Sequence, residues 1–155
     1  MLDIPQIVTT TAQRAAVIRV TIPRDQIRQV MGPAIGEVMA AASAQGIGPT
    51  GPVFSHHFRM DANTFDFEVG VPVSSPVTAV GRVREGLLPA ASAVRTIYRG
   101  PYEGLGAAWG EFNAWIAAQG HAPAPNLWER YLAGPESGPD PTTWQTELTR
   151  PLADL

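Results

Sequence analysis

The sequence predicts an α+β fold built from two similar halves. Three observations carry this. The apolar pattern runs strand, strand, helix, strand, strand, and then runs through that order again. Segments of one half recur in the other: Ser43-Ala44-Gln45-Gly46 matches Ala117-Ala118-Gln119-Gly120, Ala16-Val17 matches Ala93-Val94, and Glu68 and Glu147 each stand four residues before a proline. The length of 155 residues suits one domain. The expected architecture is therefore a single domain over 1–155, with repeats over roughly 5–73 and 78–152 related by a pseudo-twofold axis. Its strands form one antiparallel sheet or two abutting sheets, both main helices lie on one face, and the seam of the halves forms a ligand groove.

The elements follow in order. Gln6–Thr11 is short and β-branched, a first strand, and it is expected to pair with a second over Gln13–Thr21. Ile22-Pro23-Arg24-Asp25 breaks that strand, and Asp25 is the expected N-cap of a helix running to about Ala44. Ile27, Met31, Ala34 or Ile35, Val38 and Ala42 recur at helical spacing, and Gly46 and Gly48 stop the helix. Strands follow over Val53–Met60 and Thr64–Val73, joined by a turn at Asp61-Ala62-Asn63. The second half gives strands over Thr78–Leu87 and Ala91–Arg99, broken by Gly100-Pro101. A helix from about Tyr102 to Ala118 carries the stripe Tyr102, Leu105, Trp109, Phe112 and Ile116 and ends at Gly120. Leu127–Leu132 is a strand, Gly134–Pro141 a loop, and Trp144–Leu148 the last strand.

Composition narrows the function. The chain is 45% hydrophobic and 16% charged, with a net charge of -3 and a pI near 5.5. That balance argues against a nucleic-acid surface. Without cysteine there is no disulfide, thiolate metal site or cysteine nucleophile. The start, Met1-Leu2-Asp3-Ile4-Pro5, lacks the basic and apolar regions of a signal peptide, and no apolar run is long enough to span a membrane. A cytoplasmic protein is the expectation. His56 and His57 face opposite ways on a regular strand and His121 lies in a loop, so no spacing supports a metal site. No phosphate loop or nucleophile elbow is present, and no cofactor is expected.

The candidate site centres on Pro125-Asn126-Leu127-Trp128-Glu129-Arg130-Tyr131-Leu132. Alternation puts Glu129 and Tyr131 on one face and Trp128, Arg130 and Leu132 on the other, with Trp128 expected as core beneath the helix. Glu129 reads either as a sheet carboxylate paired to an arginine or facing water, or as a ligand carboxylate suited also to acid or base work. Tyr131 reads equally as packing and as a donor to ligand or carboxylate. The helix ends at Gly46 and Gly120 lie 74 residues apart, and that offset sets Ser55 opposite Glu129 and His57 opposite Tyr131. The seam then presents Glu and Tyr from one half, Ser and His from the other. Trp109, Tyr102 and Phe112 read first as core, with an edge of Trp109 available as a groove wall. His57 reads as a surface histidine or a groove-lining proton carrier. Glu147 reads as a sheet carboxylate or a secondary ligand contact.

Arg99-Gly100-Pro101-Tyr102, Trp109, Trp115-Ile116, Trp128-Glu129-Arg130-Tyr131-Leu132 and Thr146-Glu147-Leu148 before Pro151 together resemble the gyrase-inhibitor-like (GyrI-like) family. Its other name is the effector-binding domain of AraC-type and multidrug-responsive regulators. Gly51-Pro52-Val53-Phe54 and Phe65-Asp66-Phe67-Glu68-Val69-Gly70-Val71-Pro72-Val73 agree, so the resemblance covers nearly the whole chain. It implies a duplicated βαββ fold that binds small organic molecules, often aromatic and cationic, in a central groove. It also implies that a buried glutamate at the position of Glu129 meets positive charge. No residues remain for the helix-turn-helix that usually accompanies the family, so the chain resembles its stand-alone members. His57 departs from the pattern, where a tyrosine is common.

Three functions are carried forward. The first is a binding protein for an aromatic, in one reading cationic, ligand or toxin, using Glu129, Tyr131, Glu147, His57, Trp109, Tyr102 and Ser55. The second, implied by stand-alone members, is a hydrolase of strained cyclopropane-bearing natural products in which Glu129 acts as acid or base assisted by Tyr131 or His57. The third is a protein that inhibits a topoisomerase through its acidic surface. A small organic ligand is the expected partner, with no nucleic acid and no membrane.

Overall fold

The computed structural model describes residues 2–61 and 63–153, the side chains of Arg28 and Met60 excepted. Among them the order is β1 (Gln6–Thr9), β2 (Gln13–Pro23), α1 (Ile27–Ala44), β3 (Phe54–Met60), β4 (Thr64–Pro72), β5 (Arg84–Leu88), β6 (Ser92–Arg99), α2 (Leu105–Ala118), β7 (Leu127–Ala133) and β8 (Gln145–Pro151). Short 3-10 turns over Arg24–Gln26 and Tyr102–Gly104 lead into the two helices. The strand pairs described are antiparallel, and the chain divides into two compact units. A central unit takes Thr11–Ala90, and a split unit takes Met1–Thr10 with Ala91–Leu155. No helix among the described residues is long and apolar enough to cross a membrane.

The central unit orders its strands β3-β4-β2-β5. Four consecutive residues of β2, Ala15 to Ile18, are buried, as expected of a strand flanked on both edges and covered on both faces. One face of the sheet packs on α1, where Ala34, Val38, Ala41 and Ala42 meet Ile18, Val20, Phe67, Val69 and Val71. The split unit orders its strands β1-β6-β8-β7, and α2 buries Ala108, Trp109, Phe112 and Ile116 against Val94, Leu127 and Leu148. Each helix stops at a glycine held at positive φ, Gly46 at 68° and Gly120 at 78°, a conformation that a Cβ would strain.

The β3–β4 register repeats in β7–β8, with β7 lying 74 residues after β3 and β8 lying 79 residues after β4. In the central unit Phe54 faces Gly70 and Ser55 faces Val69, with a bulge between His57 and Arg59. In the split unit Trp128 faces Thr149 and Glu129 faces Leu148, with a bulge between Tyr131 and Ala133. Ser55 and Glu129 thus hold matching places, as do His57 and Tyr131. At the 79-residue offset Phe67 of β4 matches Thr146 of β8, and Phe65 matches Trp144, which lies just before β8.

Several expectations are corrected. β1 pairs with β6, Gln6 opposite Arg95 through Thr9 opposite Ser92, and not with β2, whose two edges are taken by β4 and β5. Asp25 lies inside the 3-10 turn, and no side chain caps α1. The strand expected over 78–87 is a turn closed by the Val80–Val83 bridge, with Gly81 at φ 57°, followed by β5. β8 runs on to Pro151. The turn expected at 61–63 includes Ala62, outside the described residues; beside it the Asn63 N–H donates to Asp61 Oδ1 at 2.8 Å.

His57 is buried, not a surface histidine. It stacks on Phe67 with ring centres 4.8 Å apart and meets Phe65 edge-on at 5.2 Å. His56, its side chain on the opposite face, is buried too and lies 4.7 Å from the Phe58 ring. Burial is the main cause that holds both imidazoles down to about 4, helped by Arg19 for His56 and by His56 and Arg24 for His57.

A Cβ on Gly70 would sit 2.7 Å from Phe54 Cζ, 2.8 Å from Val17 Cγ1 and 3.0 Å from the Ala16 carbonyl. Gly70→Ala should therefore cost about 1–3 kcal/mol in urea unfolding; an unchanged midpoint would contradict the close approach. The histidines have folded values below their unfolded value near 6.5, so the unfolded chain binds more protons between the two. Their contribution is complete above 6.5 and is lost as pH falls toward 4. Glu68 and Glu129, raised by burial, act in the opposite sense above about 4.5. Comparing His57→Phe with the parent isolates the histidine part: the parent should lose about 1–2 kcal/mol more between pH 7 and pH 5.

Candidate ligand-binding site

Glu129 lies on the side of the split-unit sheet that α2 covers. Its cross-strand neighbour Leu148 and its strand neighbour Leu127 both belong to the core beneath that helix. Trp109 of α2 donates its indole Nε1–H to Glu129 Oε2 at 2.7 Å, and Tyr131 donates its hydroxyl to Oε1 at 2.8 Å. Each oxygen is held by one neutral donor. Burial pushes the carboxyl above the usual carboxylate range, and the two hydrogen bonds pull it back only in part. No cation is among the groups acting on it.

Aromatic rings continue outward from this carboxylate. Tyr131 is half-buried and meets Tyr102 edge-on at 6.0 Å; Tyr102 in turn lies 5.1 Å from Trp144. Trp109 packs at 5.6 Å on Phe112, so its ring is core on one side while its N–H serves the carboxylate. Burial, then Glu136, then Glu129 raise the Tyr102 hydroxyl above its ordinary value. Directly opposite Tyr131, Thr146 is wholly buried, and its hydroxyl has no hydrogen-bond partner among the described residues.

Glu147 is on the other face of the same sheet. It faces Arg130 across the strands, and its Oε1 lies 3.0 Å from Arg130 Nη1 and 3.3 Å from Arg95 Nε. A carboxylate between two guanidinium groups has its charge already matched, and alternation keeps it away from Glu129. Trp128 shares that face and is 1% exposed, so it is buried away from α2; the expectation that it lies beneath the helix is reversed, because Glu129 takes that side. Ser55 and His57 belong to the central unit, on the face where Phe67 and Val69 meet α1. Among the described residues there is no group of three or more His, Cys, Asp or Glu able to hold a metal.

Trp144, Thr146 and Glu136 are not among the site residues that the sequence points to, although Thr146 stands in the family motif. Trp144 reads as the first residue of a strand, and its contact with Tyr102 joins segments far apart in the chain. Glu68 and Glu147 lie 79 residues apart, and that second offset matches Thr146 to Phe67, where a ring is exchanged for a hydroxyl.

No curated protein matches the chain. Among solved structures it is similar to the C-terminal domain of EcmrR, at 22% identity and a TM-score of 0.80 over 96% of each chain. Against EcmrR in its DNA complex the TM-score is 0.83 at 21% identity; 97% of this chain is covered, and it spans 57% of that one. SAV2435 bound to tetraphenylphosphonium gives 0.68 at 11% identity, over 97% of this chain and 94% of that. A hydrolase from Listeria innocua gives 0.67 at 13%, over 96% and 91%. Likeness at such identities speaks for the fold. The sequence itself matches the GyrI-like small molecule binding domain over residues 4–153. With that match running almost end to end, and with the fold shared, the chain belongs to the GyrI-like small molecule binding domain family, and binding a small molecule is its general function.

Proposed function

We propose that the protein binds a hydrophobic aromatic cation, with Glu129 as the counter-charge and Tyr131, Trp109 and Tyr102 as its aromatic surroundings. The observation that carries this is a half-buried carboxylate held by two neutral donors with no cation beside it. The matching place in the central unit holds Ser55, so this fold does not require a carboxylate there. A positive charge about 4 Å away would gain on the order of 4 kcal/mol at an intermediate dielectric, part of it offset by desolvation. A ring face would add roughly 0.5–2 kcal/mol. SAV2435 is bound to a cation of this class, which supports the ligand type. In this reading Glu147, matched by Arg95 and Arg130, serves the sheet, and Ser55 and His57 are counterparts of the site rather than contacts. Residues 1–155 act as one effector-binding domain in the cytoplasm; the acidic balance supports a domain that does not itself touch nucleic acid.

A second reading rests on the raised carboxyl of Glu129. A glutamic acid kept protonated beside a tyrosine can donate a proton to a leaving oxygen or nitrogen, or as carboxylate direct a water. The Listeria innocua hydrolase has the same fold. Incubation with a strained cyclopropane electrophile separates the two readings, since only the hydrolase changes the compound's mass.

Calorimetry with tetraphenylphosphonium tests the first reading. Glu129→Gln should weaken binding at least about tenfold, near 1.4 kcal/mol, and Tyr102→Ala by a smaller factor. A cation favours the charged carboxylate, so affinity should rise with pH from 4.5 upward and binding should release a proton. Equal affinity in Glu129→Gln would end this reading.

A further inference from the structure

The geometry points to Glu136 as an outer carboxylate of the same site, selecting ligands that carry two positive centres. This rests on the cation-binding reading of Glu129 and extends it from a class of charge to a class of molecule.

Glu136 is exposed, in the turn that follows β7. The turn fixes it: the Gly134 N–H donates to Glu136 Oε1 at 3.0 Å, and the Ser137 hydroxyl donates to the Gly134 carbonyl at 2.7 Å. Glu136 and Tyr102 converge on one point. A Cβ built on Gly134 would collide with the Tyr102 hydroxyl and lie 2.9 Å from Glu136 Oε2. Tyr102 also meets Tyr131, whose hydroxyl holds Glu129. The two tyrosines therefore stand between an inner carboxylate and an outer one, and Tyr102 feels the charge of both.

Two further observations bear on a ligand. The buried Thr146 hydroxyl, on the Glu129 side and opposite Tyr131, has no partner among the described residues. And the fold forms without this chemistry in the central unit, where the residue entering the 3-10 turn is Arg24, set 4.5 Å over the Phe65 ring, in the place of Tyr102. Negative charge at both ends of a tyrosine pair is thus particular to the split unit. A ligand with one charged ring system needs only Glu129; a second charge on an arm beyond Tyr102 would meet Glu136 near solvent.

Ethidium and propidium share a ring system, and propidium adds a second charge on a side arm. Titrated into the full chain at low ionic strength, propidium should bind about fivefold tighter, as an exposed ion pair allows. Glu136→Gln, which keeps an acceptor for Gly134, should cut that preference below about twofold and leave ethidium nearly unchanged, while Glu129→Gln weakens both. If ethidium binds but propidium has no advantage, or the advantage survives in Glu136→Gln, the outer carboxylate is overturned and the inner site stands. If neither dye binds the parent chain, the cation reading itself fails and the outer carboxylate fails with it.

Discussion

Two hydrogen bonds bring a carboxylate to the helix side of a sheet. Everything proposed for this protein depends on them. Trp109 can only donate, and its single N–H is used on Glu129. Tyr131 comes from the strand that carries the carboxylate itself. The joint between α2 and β7 is consequently polar at one point and apolar elsewhere, through Phe112, Ile116, Leu127 and Leu148. A carboxylate with two neutral donors is under-compensated for its loss of water, and that is the condition in which an incoming cation gains most. The unfavourable local choice falls where the ligand contact is proposed, as physical consistency elsewhere in a fold leads one to expect.

The central unit shows what the same frame looks like when it is packed shut. Phe67 covers His57, Arg24 lies over Phe65, and Ser55 is fully buried. The registers and bulges agree with those of the split unit, so within these paired strands the difference lies in side chains, while the turn that joins them is longer in the split unit. Where one unit stacks a phenyl ring, the other carries the Thr146 hydroxyl. Where one turns in through an arginine, the other turns in through a tyrosine.

Much of this was legible in the sequence, and the reasons are particular. The offset could be read because Gly46 and Gly120 are fixed by backbone conformation, and Ser55 and Glu129 hold matching register positions at that offset. Alternation gave the partition of β7 into two faces. It could not tell which face the helix would take, so Trp128 and Glu129 were exchanged. Glu147 was legible as a sheet carboxylate but not as a matched one, because Arg95 and Arg130 sit on two other strands. The surface reading of His57 fails because nothing local announces that Phe65 and Phe67 will close over it. The short connection after β1 suggested a hairpin, while the occupancy of both edges of β2 is decided by residues much further along.

That last feature bears on how the chain is made. The central unit is one continuous stretch, complete once its final strand leaves the ribosome. β1 emerges before it, yet its partner β6 is translated only after it, so at typical elongation rates β1 waits on the order of ten seconds. Through that interval it is an unpaired edge carrying Ile7, still 54% exposed in the finished protein, next to Ile4 at 85%. A nascent chain of this design is most open to chaperone capture, or to pairing with the wrong neighbour, at β1 and not at the aromatic rings around Glu129.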